Sequence, residues 1–221
     1  RSLGAGLFLF PHGIHVDKGG NVWVTDQQVN QERKKGVQVI KFGPDGKVLM
    51  TLGTAGVQGE GPDTFGAPTD VLVAPNGDIF VSDGHTGCKC PNNRIVKFSK
   101  DGKFVKAWGK TGTGPGELDG PHSLAMDSKG RLFVGDRTNN RVVVFDQDGK
   151  FLAAWKQFGR PSGVFIDRTD TLYVADSEST DKDGYGHNPG VARGIRIGSA
   201  ADGSVKYFIP DPAPTGGSSA A

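Results

Sequence analysis

Of the five histidines in this chain of 221 residues, two follow a proline in matching contexts, Pro11-His12-Gly13-Ile14 and Pro121-His122-Ser123-Leu124. Neutral imidazole is a favoured zinc ligand, so two histidines at equivalent positions are candidates to converge on one metal ion. The plainer alternative is that Pro-His belongs to a repeat, with the imidazole bonding to a neighbouring carbonyl. A zinc site normally takes about three or four protein ligands, and spacing alone offers no third one. A further candidate lies in Asp83-Gly84-His85-Thr86-Gly87-Cys88-Lys89-Cys90, which holds an imidazole and both cysteines of the chain. Cys-x-Cys is a poor match to zinc cysteines, which are usually about two to four residues apart. The two thiols are also too close in sequence to pair easily with each other. They read as loop residues, with a bond to a cysteine elsewhere as the other use. Tyr185 and His187, in the Gly-rich stretch Asp183-Gly184-Tyr185-Gly186-His187, read either as a solvated loop or as a lid.

These residues are carried by a repeat. Aligning the prolines at 11, 68, 121 and 161 places an aspartate 15 residues later in every unit, at Asp26, Asp83, Asp136 and Asp176. Each unit opens with a short alternating run and turns back. It then runs out again as Val-Trp-Val-Thr-Asp, Ile-Phe-Val-Ser-Asp, Leu-Phe-Val-Gly-Asp or Leu-Tyr-Val-Ala-Asp. Alternating and β-branched runs bounded by Gly-containing turns are the signature of antiparallel strands. Third runs follow at 37–42, 95–98, 142–145 and 195–197, and fourth runs at 48–52, 104–108, 151–155 and 205–209, with Asp-Gly-Lys turns at 45–47, 101–103 and 148–150. Four short strands in about 40 residues is the size of one propeller blade. The connection from second to third strand varies, with 12 residues from Asp136 to Asp148 against 19 from Asp26 to Asp45 and 18 from Asp83 to Asp101. The extra residues are expected on one rim, where binding loops collect. In a propeller the first strands line the central channel, so His12, Thr69, His122 and Ser162 are expected at one level, with Ile14 and Val16 on the face of His12 and His15 on the other. The four aspartates read as strand-end carboxylates that accept backbone N–H bonds from the following turn, since catalysis would not need one in every unit.

Composition agrees with an all-β protein rich in turns, with 35 glycines and 13 prolines placed between regular apolar runs. A net charge of +2, from 26 basic and 24 acidic side chains spread along the chain, gives no footprint for nucleic acid or an anionic membrane. No run reaches the ~20 apolar residues of a membrane span. The opening Arg1-Ser2-Leu3-Gly4 reads as a processed or truncated start.

The Pro-to-Asp spacing and the recurring Asp-Gly-Lys turn together resemble the NHL family of β-propeller repeats. The resemblance implies a single all-β propeller domain over residues 1–221, with four-stranded blades at about 11–57, 68–110, 121–156 and 161–210. Residues 1–10 would end a preceding blade and 211–221 would lead into a following one, as an internal slice of a six-bladed ring. A narrower resemblance, to peptidylglycine α-amidating lyase, is carried by Pro11-His12-Gly13-Ile14, Pro68-Thr69-Asp70-Val71, Ser82-Asp83-Gly84 with Arg94-Ile95-Val96-Lys97-Phe98, Pro121-His122-Ser123-Leu124 and Asp136-Arg137. That family cleaves peptidyl-α-hydroxyglycine to a peptide amide and glyoxylate. The resemblance implies that His12 and His122 are two of three zinc histidines, that Arg137 is an active-site arginine, and that the Ile14 carbonyl binds a structural calcium. Where the family has a catalytic tyrosine this chain has His85, which reads as a base in its place, as a ligand or as a surface residue, and the third zinc histidine belongs to a blade outside these residues. The implied substrate is a small molecule or peptide at the channel mouth, and the implied location is periplasmic or secreted. The competing expectation is a non-catalytic NHL propeller that presents its rim loops to a protein or ligand partner.

Overall fold

Alternation of apolar and polar side chains hides only one face of a strand at a time, so short runs of this kind must pair into sheets and stack. In the computed structural model, which describes residues 3–85, 90 and 92–213, they form four sheets. Each has four antiparallel strands in chain order. The first sheet contains β1 (Pro11–Val16), β2 (Val22–Val29), β3 (Gly36–Phe42) and β4 (Val48–Leu52). The second contains β5 (Pro68–Val73), β6 (Ile79–Asp83), β7 (Arg94–Phe98) and β8 (Phe104–Trp108). The third contains β9 (Pro121–Met126), β10 (Leu132–Asp136), β11 (Arg141–Phe145) and β12 (Phe151–Trp155), and the fourth β13 (Gly163–Ile166), β14 (Thr171–Asp176), β15 (Gly194–Ser199) and β16 (Val205–Pro210).

This is the expected all-β architecture of four-stranded blades. The repeat prolines open β1, β5 and β9, whereas β13 opens at Gly163, two residues after Pro161. β7 begins at Arg94, one residue before the apolar run, because Arg94 pairs across the sheet with Asp83. The Asp-Gly-Lys turns need their glycine: Gly46, Gly102 and Gly149 have φ of 88°, 76° and 83°, a region that costs other residues a steric penalty.

Close packing divides the chain into two compact units, residues 1–121 and 122–221. In the first unit, Trp23, Val39 and Leu52 of the first sheet meet Val71, Val81, Val96 and Phe98 of the second, with Phe65 of the intervening link between them. In the second unit, Phe133, Val142 and Val144 meet Val164, Leu172 and Val174, and Phe158 of the link is again buried with them. Phe133 is fully buried. Phe133→Ala is expected to cost about 3–5 kcal/mol, the loss typical of emptying a large aromatic site. A urea midpoint that barely moves would show that the site collapses.

His15 links β1 to β5: the Val73 N–H donates to its Nε2 at 3.4 Å, which requires an unprotonated nitrogen. Burial lowers the imidazole below its ordinary value, with Asp17 acting the other way. A depressed folded pKa means that the unfolded chain takes up its proton first. The contribution of His15 is therefore present above the unfolded value of about 6.5 and is lost as pH falls below it. Urea midpoints measured from pH 8 to pH 5 are expected to fall more steeply for the parent than for His15→Gln, and parallel curves would remove this assignment.

Candidate functional site

The first strands are not regular where they open. β1 carries a bulge between Pro11 and Ile14, and β5 one between Pro68 and Asp70. An extra residue breaks strict alternation and re-aims side chains, so the expected sharing of one face by His12, Ile14 and Val16 does not follow from counting. Within this bulge the His12 Nδ1 lies 2.8 Å from the Thr69 carbonyl oxygen, and Gly13 makes the approach possible. A Cβ on Gly13 would stand 2.5 Å from that same oxygen.

A carbonyl oxygen only accepts, so Nδ1 of His12 must be the protonated nitrogen and the lone pair of the neutral ring sits on Nε2. The second unit repeats the arrangement. Nδ1 of His122 lies 2.7 Å from the Ser162 carbonyl. Each histidine is therefore fixed by the residue that the next repeat places at its own position. The bond to a neighbouring carbonyl, first read as the alternative to ligation, is also the outer-shell bond that metal-binding histidines usually make.

The Thr69 carbonyl takes a second bond from the Thr25 hydroxyl at 3.1 Å, filling both lone pairs. The fully buried Thr69 hydroxyl lies 2.6 Å from the Pro121 carbonyl, which fixes the peptide that leads into His122. His85 follows β6 and stands edge-on to His12, with ring centroids 5.3 Å apart and planes at 78°. The structure thus brings His12 and His85 together within the first unit. Ile14 stays mostly exposed, its side chain in an apolar cleft of about 390 Å³ that also takes in Phe8, Val24 and Phe42. Cys90 is disulfide-bonded, which removes its sulfur from any metal site with His85. Cys88 lies outside the described residues.

In the second unit Arg137 follows β10 and is nearly buried. Its Nη1 donates to Glu178 Oε1 at 3.3 Å, and Arg160 Nε donates to Oε2 of the same carboxylate at 3.0 Å. The Tyr185 hydroxyl donates to Oε1 at 2.8 Å. Its ring lies over both guanidinium groups, 6.0 Å from Arg137 and 5.0 Å from Arg160. Burial alone would raise the Glu178 carboxyl, but the Tyr185 hydroxyl and the two arginines outweigh it and hold the group below its ordinary value. Burial likewise lowers the Arg137 guanidinium, against the pull of Glu178.

Sequence reading missed Arg160 and Glu178. A signal existed for one of them, since the residue before the repeat proline is Phe10, Ala67, Gly120 and Arg160, and only the last is charged. Tyr185 and His187 separate in role: Tyr185 covers the arginines, while the His187 ring meets the Lys182 carbonyl and Asp183 within its own loop.

The repeat aspartates are structural anchors, and two of them bind the preceding segment rather than the following turn. Asp26 accepts from the Leu9 and Phe10 N–H groups at 3.1 and 2.7 Å, and Asp83 from those of Gly66 and Ala67 at 2.7 and 2.9 Å. Asp176 binds both ways, accepting from the Arg160 N–H at 2.9 Å and from the Ser179 N–H of the following turn at 2.9 Å, and Asp136 accepts from Asn139 Nδ2 of its following turn at 2.8 Å.

Comparison with known proteins agrees with this architecture. A family model described as a 6-bladed beta-propeller matches residues 64–156. The chain is 41% identical over 145 residues to peptidylglycine alpha-amidating monooxygenase of Rattus norvegicus, a match covering 62% of this chain and 14% of that protein. It is 42% identical over 110 residues to peptidyl-alpha-hydroxyglycine alpha-amidating lyase 1 of Drosophila melanogaster, covering 48% of this chain and 18% of that one. The chain thus spans less than a fifth of the length of either relative. Among solved structures, virginiamycin B lyase of Staphylococcus aureus is similar in fold at 16% identity, with a TM-score of 0.63 over 96% of this chain and 59% of that one. The chain is built of four-stranded β-propeller blades and is similar in sequence to the amidating lyases and to NHL repeat-containing proteins.

Proposed function

We propose that this chain carries part of the active site of a metal-dependent lyase of the amidating type, acting on a peptide or small molecule that bears an α-hydroxyglycine group. The observation that carries this reading is the repeated Nδ1-to-carbonyl bond of His12 and His122, which puts the lone pair of each neutral ring on Nε2, the atom that would ligate. His85 is proposed as the third imidazole, in place of the base role that the resemblance suggests. Each of the three would offer one ring nitrogen to the ion. Three imidazoles, two of them held by outer-shell carbonyls, are a donor set that would suit zinc and leave a position for substrate.

A bound zinc would supply Lewis-acid polarisation of the substrate oxygens. Arg137 would hold the substrate carboxylate through its planar fork. In the reaction the hydroxyl loses its proton, the C–N bond breaks, the amide nitrogen gains a proton, and an aldehyde acid, glyoxylate, departs.

Ile14 offers one backbone oxygen toward a calcium ion, which takes about six to eight oxygens, so calcium content belongs in the same metal analysis. Among the described residues no helix is long and apolar enough to cross a membrane. The proposed location is extracytoplasmic, a reading that the disulfide at Cys90 favours because such bonds persist in oxidising compartments. The test is incubation of the full-length, zinc-loaded protein with a peptidyl-α-hydroxyglycine. Glyoxylate release above the uncatalysed rate is the expected result. Its absence would leave a propeller that serves as a binding scaffold.

A further inference from the structure

Arg137 and Arg160 of the second unit are both met by a carboxylate of the chain itself. Their side chains are 4% and 3% exposed, whereas that of Glu178 is 22% exposed, so the carboxylate lies on the solvent side of the cluster. Both guanidinium groups donate to it, one to each oxygen. Arg160 is held in place independently, with Nη1 donating to the Arg137 carbonyl at 3.0 Å.

Glu178 lies two residues before, and Tyr185 within, a small loop closed by the Thr180 N–H bond to the Gly186 carbonyl at 3.0 Å and the parallel bridge between Thr180 and His187. The Tyr185 hydroxyl bonds from the loop back to Glu178. Gly184, at φ 102° with open space around it, turns the tip, and the Tyr185 ring is 60% exposed. The tip is therefore held over the arginines mainly by polar bonds and ring stacking rather than by a buried apolar anchor.

We infer that Arg137 and Arg160 form a binding site for a ligand carboxylate, that Glu178 occupies this site in the absence of ligand, and that Tyr185 latches it there. The inference rests on the reading of Arg137 as the holder of the substrate carboxylate and adds Arg160, Glu178 and Tyr185 to it. Exchange is the physical route. Removing Glu178 alone would leave two guanidinium groups buried without it, which is costly, whereas trading one carboxylate for another keeps the charge balance. Ligand affinity is thereby reduced by the fraction of time that the internal carboxylate holds the site.

The test is calorimetric titration of sodium glycolate into the full-length protein and its variants, with glycolamide as the uncharged control. Glu178→Gln keeps the shape and removes the competing charge, so its Kd for glycolate should fall about tenfold or more below that of the parent. Tyr185→Phe removes only the latch bond of an exposed residue and should lower Kd about threefold. Arg160→Lys in the Glu178→Gln background should reverse the gain, because lysine lacks the planar fork, and glycolamide should bind none of them. Glycolate binding that is equal or weaker in Glu178→Gln overturns the inference. Should that variant fail to fold, an unchanged Kd in Tyr185→Phe overturns it instead. The same preparations, assayed for zinc and for glyoxylate release from a hydroxyglycine peptide, separate the two readings. Activity without enhanced glycolate binding removes the exchange, and enhanced binding without zinc or activity removes the lyase.

Discussion

Replacing His12 with alanine is expected to strip zinc from the protein while leaving it folded. Losing an outer-shell partner alone typically lowers metal affinity about 10- to 100-fold, and losing a ligand of a three-imidazole set should exceed that. The site is tied to the fold by the Thr69 carbonyl rather than by the imidazole alone, since that carbonyl also accepts from Thr25. The half-buried His12 ring can therefore be truncated without opening a core cavity. Elemental analysis after loading should show near-stoichiometric zinc in the parent and little in His12→Ala or His122→Ala. His85→Phe separates the two roles open to that residue. As a third ligand it loses zinc like the others, whereas as a base it keeps zinc and loses only turnover. A folded, zinc-free parent would remove the metal reading.

Asp83→Ala is expected to cost about 3–5 kcal/mol, the range for removing one partner of a buried ion pair. Its carboxylate is fully buried and accepts from Arg94 Nε at 2.9 Å, Asn92 Nδ2 at 2.6 Å and two backbone N–H groups of the preceding link. Arg94 in turn binds the carbonyls of Gly59, Glu60, Gly61 and Thr64. Losing the carboxylate thus leaves a buried cation and frees the loop that it gathers. Burial pushes the Asp83 carboxyl up, against Arg94 and its hydrogen bonds, which is the cost that this network offsets. The contrasting pair is Lys34 with Glu32, side chains 75% and 69% exposed, where truncation should not measurably change stability. A small effect at Asp83 would mean that water or the loop replaces the carboxylate readily.

The blades, their strand order and the anchoring aspartates were legible from residue order, because each depends on local chemistry. Period-2 alternation, glycine at turns of positive φ, and a carboxylate at a constant offset from a proline all act within one unit or on the link just before it. The match of His12 to His122 was legible for the same reason, as two copies of one local pattern. Tertiary structure decided what those residues face. The bulges that open β1 and β5 shift alternation by one residue, and no count along the chain predicts them. The bond from each histidine to the next unit's carbonyl joins residues 57 and 40 positions apart, a distance set by how sheets stack. The convergence of Arg137, Arg160, Glu178 and Tyr185 likewise joins the end of one strand, a link and an insertion, whose meeting is set by packing rather than by spacing.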